Sequence, residues 1–282
     1  MWAMNMHLNL SWKQTAAATV LLVVAAGSAS AFAEGRLQKS DFSSLRLLNA
    51  GMESGEWKAG IEITMKPGWK TYWRVPGESG VPPQFDWKQS GNAQNVQVEM
   101  PVPKRFRDNN GEGIGYQGVV VFPVNVKPED AGKPVRLSLQ AFYAVCNDIC
   151  VPVQAEVSLE LSPATASASD RYTLGLIAGE MPQNASASGL SVKQLKLVET
   201  EGNPALEVAI GGLVAPSKTD IFVETSTTAY FRKPELVSQA GATAVYRLTV
   251  DGLPAGTSLK GQPVRLTIAA GGTSLVHDGF VQ

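Results

Sequence analysis

Short runs in which apolar side chains fall on alternate residues recur along the chain from residue 42 onward. The clearest lies within residues 57–65, where Ile61, Ile63 and Met65 share one face of an extended chain. Residues 42–50 show the same pattern more patchily, and further strands are expected over Thr71–Val75, Val96–Met100, Val119–Val126, Val135–Val145 and Val151–Leu161. Between them stand Pro67-Gly68, Pro76-Gly77, Gly91-Asn92 and Asn109-Asn110-Gly111, residue pairs that favour turns. A single sheet with one apolar face must bury it against another, so residues 34–162 are read as an immunoglobulin-like β-sandwich.

The pattern changes at Ser162. Residues 163–189 are read as a linker rich in small residues, with a short helix over Asp170–Glu180 capped by Ser169 or Asp170 and stopped near Pro182. Strand patterns resume at Leu190–Val198, Ala205–Ile210, Asp220–Thr225, Val245–Val250, Val264–Ala269 and Ser274–Val281. Residues 190–282 therefore read as a second, smaller β-sandwich domain, and the fold class as all-β.

Ahead of the sandwiches, residues 1–33 carry the marks of an export leader. Lys13 is the only charged side chain before Glu34, an apolar run from Ala16 to Ala26 follows, and Ala31-Phe32-Ala33 has the small-x-small form of a cleavage site. The apolar run is shorter than the roughly 20 residues a membrane span needs, so cleavage and a soluble mature chain are expected. In a bacterium the destination is the periplasm, where disulfides persist. Charge adds little: 24 basic side chains face 25 acidic ones, and no basic run marks a surface for nucleic acid.

Candidate chemistry then narrows to two residues. After the leader only His277 remains among the histidines, which leaves no Ser-His-Asp set and no histidine-rich metal site. No phosphate-cradling glycine loop stands between a strand and a helix. Cys146 and Cys150 are the only cysteines, separated by Asn147, Asp148 and Ile149. On one continuous strand, residues four apart lie about 13 Å apart, whereas a disulfide needs Cα atoms within about 7 Å. Bonding therefore requires a turn, for which Asn147-Asp148 is suited, with one strand arriving before it and another leaving after it.

Three readings of the pair stay open on the residues alone. A structural staple over so short a loop removes only about 2 kcal/mol of unfolded-chain entropy. Two thiolates also suit Cu(I), with Met65 and Met100 the nearest thioethers by pattern, although both read as core residues. The third reading is a redox-active dithiol. Asp148 lies between the cysteines and no Lys, Arg or His adjoins them in sequence, so local charge is expected to raise the thiol pKa values.

A series of motifs in order now fixes a resemblance: Gly68-Trp69-Lys70-Thr71-Tyr72-Trp73-Arg74, Pro76-Gly77-Glu78-Ser79-Gly80-Val81-Pro82-Pro83, Gly115-Tyr116-Gln117, Val121-Phe122-Pro123-Val124 and Cys146 to Pro152. It resembles the N-terminal periplasmic domain of the DsbD family of thiol:disulfide interchange proteins, with a spacing closer to the branch that includes the copper-sensitivity suppressor ScsB. The resemblance implies a dithiol carrier with protein-disulfide reductase activity and no bound cofactor. It would take electrons from a membrane thiol-electron transporter and pass them to periplasmic thioredoxin-like partners. By position Cys146 and Cys150 are the redox pair, with Cys150 bonding the downstream partner. Residues Phe106 to Gly113 match the cap over the pair, Asp108 an acidic cap position, and Tyr72 and Trp73 aromatics bordering the site. Three departures stand out. Well-studied members separate the cysteines by five residues, the cap aromatic falls on Asn109 with Phe106 as a substitute, and the membrane and thioredoxin-like domains that ordinarily follow do not precede Gln282. A separate membrane protein is then the expected electron source. The rival expectation is a Cu(I)-binding or client-docking module in copper tolerance, with Cys146 and Cys150 as ligands or staple.

Overall fold

A computed structural model describes residues 36–78, 80–108 and 111–282, without the side chain of Asp108; the leader expected over residues 1–33 and the cap position Asn109 lie outside these described residues. The first half folds into antiparallel strands β1 (Leu37–Lys39), β2 (Ser43–Glu53), β3 (Glu56–Met65), β4 (Lys70–Gly77), β5 (Gln84–Asp86), β6 (Ala93–Val98), β7 (Lys104–Asp108), β8 (Gly111–Gln117), β9 (Val119–Pro128), β10 (Val135–Cys146) and β11 (Cys150–Leu161). One sheet runs β1-β2-β3-β9-β6, and the other β11-β10-β4-β8-β7 with β5 paired to β10. Alternation decides what lies between them. Val135, Leu137, Leu139, Ala141, Tyr143 and Val145 of β10 meet Leu45, Leu47, Ile61, Ile63 and Phe122 of the facing sheet in one buried cluster. Each large side chain removed from water there contributes roughly 1.5–3 kcal/mol.

After β11 the chain enters helix α1 (Ala168–Ile177), continued by a 3-10 turn over Ala178–Glu180. Its cap is Ser167, whose hydroxyl accepts the Asp170 amide, two or three residues before the expected Ser169 or Asp170. Asp170 does other work. Its buried carboxylate pairs with Arg36 at 2.7 Å and Arg46 at 3.4 Å and accepts the Asn49 amide at 3.0 Å, seating the helix on β2. A four-residue helix α2 (Ala185–Ser188) follows.

The second half contributes β12 (Ser191–Thr200), β13 (Asn203–Gly211), β14 (Thr219–Thr225), β15 (Tyr230–Phe231), β16 (Glu235–Ala240), β17 (Thr243–Asp251), β18 (Pro263–Ala270) and β19 (Thr273–Phe280). A sheet β12-β13-β17-β15, with β16 also paired to β17, packs on a sheet β14-β18-β19 around Leu206, Val208, Ile221, Tyr246, Leu248, Leu266 and Ile268. The architecture is all-β and immunoglobulin-like with a short helix, as the alternation predicts. Strands β1, β5, β7, β8, β15 and β16 carry no such signal. β15 has two residues, β16 is exposed along its whole length, β7 sets a single aromatic among charged residues, and β8 has glycine at every other position over Gly111–Gly115.

Candidate functional site

The alternation of β10 fails at its end. Tyr143, Ala144, Val145 and Cys146 are all buried, so both faces of the sheet are covered there. β10 and β11 form a hairpin in which Val145 pairs with Val151 and Cys146 with Cys150, and the loop is Asn147-Asp148-Ile149, closed by the Asn147 amide on the Ile149 carbonyl at 3.0 Å. Paired positions across antiparallel strands carry their side chains on the same face. The cysteines are joined in a disulfide, with Cα atoms 4.1 Å apart. Cys146 is 0% exposed, whereas Cys150 lies at the exposed hairpin end.

Strand β4 flanks this hairpin because a tight turn delivers it there. Pro67 and Gly68 are the central residues of a turn closed by the Trp69 amide on the Lys66 carbonyl at 3.0 Å, and Gly68 has φ +83°, a conformation glycine adopts without strain. Lys70, the next strand's first residue, pairs with Cys146 on one side and Gln117 on the other. Lys70 and Tyr72 therefore share the outer face with the cysteines, while Thr71 and Trp73 point the other way. Thr71 donates its hydroxyl to the Ala144 carbonyl at 2.8 Å, fixing β4 against β10.

Tyr72 is buried, and its hydroxyl stands 3.8 Å from Cys150 Sγ, within reach of a weak hydrogen bond to sulfur. Above it lies Phe106 of β7, with ring centroids 5.9 Å apart and planes tilted by 53°. Tyr72, Ala144 and Cys146 form a small apolar cluster of their own, with Phe106 and Val81 packed against it. Gly113, paired with Phe106 on β8, makes the room: a Cβ there would sit 2.2 Å from the ring. Phe106 thus lies over the Tyr72–Ala144–Cys146 cluster, where a cap aromatic is expected.

The electrostatics differ from what adjacency in sequence implies. The acidic surround expected from Asp148 gains a cation through strand pairing, because Lys70 stands opposite Cys146 with its ammonium 4.8 Å from the centre of the Phe106 ring. Burial holds the Lys70 pKa below the ordinary lysine value, and the charge of Asp148 opposes that drop. Burial also pushes the Tyr72 phenol up, so it remains a proton donor. Lys70 is the residue that reasoning along the sequence passed over, although it stands in the Gly68–Arg74 motif.

Of the other expected residues, Trp73 is 1% exposed in the main core and meets Phe222 edge-on at 5.9 Å. Asp108 ends β7, opposite Gly111. Met65 is buried in the core and Met100 packs against it. Among the described residues no group of three or more His, Cys, Asp or Glu side chains gathers in a way that would hold a metal ion.

Comparison with known proteins agrees with this geometry. The crystal structure of the N-terminal periplasmic domain of ScsB from Proteus mirabilis has the same fold, with a TM-score of 0.68 at 21% identity over 88% of this chain and 97% of that one. A conserved domain protein from Bacillus anthracis aligns over 87% and 89% of the two chains at 8% identity, but its TM-score of 0.21 is too low to indicate a common fold. No curated protein matches. Residues 46–162 match the family described as thiol:disulfide interchange protein DsbD, N-terminal. The first sandwich, with its covered cysteine hairpin, is thus similar to the N-terminal domain of the DsbD family of thiol:disulfide interchange proteins.

Proposed function

We propose that the chain is a periplasmic dithiol carrier, relaying reducing equivalents from a membrane thiol-electron transporter to thioredoxin-like partners through Cys146 and Cys150. On this reading residues 34–162 are the redox domain, 163–189 a linker and 190–282 an accessory domain. The observation that carries it is the asymmetry of the pair: two sulfurs joined across a hairpin mouth, one buried under an aromatic cover and one at the exposed end. A staple would gain little from so short a loop.

The chemistry balances on these groups alone. In the dithiol state the Cys150 thiolate attacks a sulfur of the partner's disulfide, forming a mixed disulfide and expelling one partner thiolate. Cys146 then loses its proton and attacks Cys150 Sγ, which forms the Cys146–Cys150 bond and expels the second partner thiolate. Two electrons leave this chain and the partner ends as a dithiol. Tyr72 is placed to donate a hydrogen bond to the Cys150 thiolate, and a hydrogen bond to the charged form favours it. Lys70 brings positive charge to the side of Cys146, which favours the thiolate there. The covered cluster keeps water from the buried sulfur.

The test is trapping. Cys146→Ala removes the resolving thiol, so Cys150 is expected to accumulate as a mixed disulfide with an oxidised thioredoxin-like protein. The reading fails if no such adduct forms and if the wild-type pair has a reduction potential below about −300 mV, the range of structural bonds. The copper reading gains no support from the placement of Met65 and Met100.

A further inference from the structure

Strand β14 of the second sandwich carries much of its contact with the first, and β15 adds to it. On β14, Asp220, Phe222 and Glu224 alternate onto the face turned toward the first sandwich. Glu224 takes Arg74 through both oxygens, at 2.5 and 2.9 Å, and Phe222 lies against Trp73. Asp220 takes the Arg105 Nε at 2.9 Å.

Arg105 is the residue before Phe106 on β7. Neighbours on a strand leave by opposite faces, so the strand that lays Phe106 over the cysteines hands Arg105 to the second sandwich. Four of the five guanidinium N–H groups are engaged. Besides Asp220 it donates from Nη1 to Glu112 at 2.6 Å and to the Phe231 carbonyl at 3.2 Å, and from Nη2 to the Ile221 carbonyl at 2.8 Å. The Tyr230 hydroxyl donates to the same Glu112 oxygen, tying β8 to β15 as well. The Arg105 side chain is only 7% exposed. Burial disfavours its charge, but Asp220 and Glu112 outweigh this and raise its pKa. A buried charge held by two carboxylates and two carbonyls is costly to unpair, which makes the clasp a fixed point rather than a surface contact.

We propose that Arg105 is a positioning residue for the thiol exchange, and that the second sandwich is the latch of the cover: it holds β7, and with it Phe106, over the Tyr72–Cys146 cluster. The inference rests on the redox reading of the pair and gives the second sandwich its part in it. Cys150 is open to an incoming sulfur, but a Cys146 thiolate that must leave, or return, needs the Tyr72–Phe106 pair to give way. The clasp sets how often it does.

The full chain is compared with Arg105→Met, Asp220→Asn, Phe106→Ala and the double variant Asp220→Asn/Phe106→Ala. The rate at which dithiothreitol reduces the disulfide, the rate of its return with oxidised dithiothreitol, and the equilibrium between them are measured. Loss of one charged hydrogen bond from the clasp is expected to speed both directions by about tenfold and leave the equilibrium ratio unchanged. A general loss of stability does not produce that signature. Because the latch acts through the cover, Asp220→Asn is expected to add nothing once Phe106 is alanine. Asp220→Asn repeats the test from the second sandwich should Arg105→Met fail to fold. The latch is overturned if Phe106→Ala speeds exchange while Asp220→Asn stays within about twofold of wild type. It is equally overturned if Asp220→Asn accelerates the Phe106→Ala protein as much as the wild type. If the disulfide resists reduction in every folded variant, Phe106→Ala included, the redox reading falls and the latch with it.

Discussion

On the proposed redox reading, two side chains on β4 tune the sulfurs they stand beside. Because burial raises its pKa, Tyr72 keeps its proton beyond the ordinary tyrosine range and remains a donor to Cys150 at any working pH. Tyr72→Phe is expected to slow mixed-disulfide formation at neutral pH by roughly threefold to tenfold, the worth of one hydrogen bond to a charged acceptor. Stopped-flow exchange with a model disulfide, repeated across pH, checks this: the variant's rate should catch up as pH rises and the thiolate forms unaided. Lys70 has the opposite balance, since its burial costs stability while its charge serves the site. With its folded pKa below the ordinary 10.5, the unfolded chain holds more protons between those two values, so this group adds stability as pH climbs through that window. Lys70→Met is expected to lose that alkaline gain, so urea unfolding near neutral pH and near pH 10.5 should show the wild type improving relative to the variant. Exchange by the variant should be slower at neutral pH, because the cation beside Cys146 is gone.

At the scale of elements, β8 shows why the cover was hard to read. Its glycines are there for neighbours that arrive from elsewhere in the chain: a Cβ on Gly113 would strike the Phe106 ring at 2.2 Å, and one on Gly115 would strike the Thr71 carbonyl oxygen at 2.0 Å. The first obstacle is a side chain and the second is backbone. Gly113→Ala is therefore expected to displace Phe106 and reproduce the faster exchange of Phe106→Ala with modest loss of stability. Gly115→Ala must part β4 from β8, and should lower the unfolding midpoint far more. The hairpin of β10 and β11 is the contrary case. Alternation from Val135 and from Val151, with Asn147-Asp148 between, announced both strands and the position of the cysteines at their mouth. Helix α1 lies between these extremes, foreseen as a helix but with its start misjudged. The polar residue that looked like a cap, Asp170, is instead buried against Arg36 and Arg46. Asp170→Ala leaves the Asn49 amide without its acceptor and should cost about 3 kcal/mol, read from the shift of a urea unfolding midpoint.

Across the whole molecule, each sandwich has its own buried cluster, and Phe222 of the second lies in the cluster of the first. Phe222 is 1% exposed against Trp73, between the Arg105–Asp220 and Arg74–Glu224 pairs. Truncating it opens a cavity at the joint, at a cost of about 3–5 kcal/mol. Calorimetry of Phe222→Ala is expected to resolve two thermal transitions where the wild type shows one, because each core then unfolds without the other's support.

The sequence by itself determined the local matters. Period-two alternation dictated most strands, Pro67-Gly68 a turn, and the spacing of Cys146 and Cys150 a hairpin if they were to bond, all because a strand and a turn are set by residues within a few positions. Only the tertiary structure decided what surrounds that hairpin. Lys70 stands 76 positions before Cys146 yet pairs with it, Trp73 faces the core while Tyr72 faces the sulfurs, and Arg105 turns away from the site that Phe106 covers. Those outcomes follow from register, and register depends on which distant strands pair and on which face a shared core claims first.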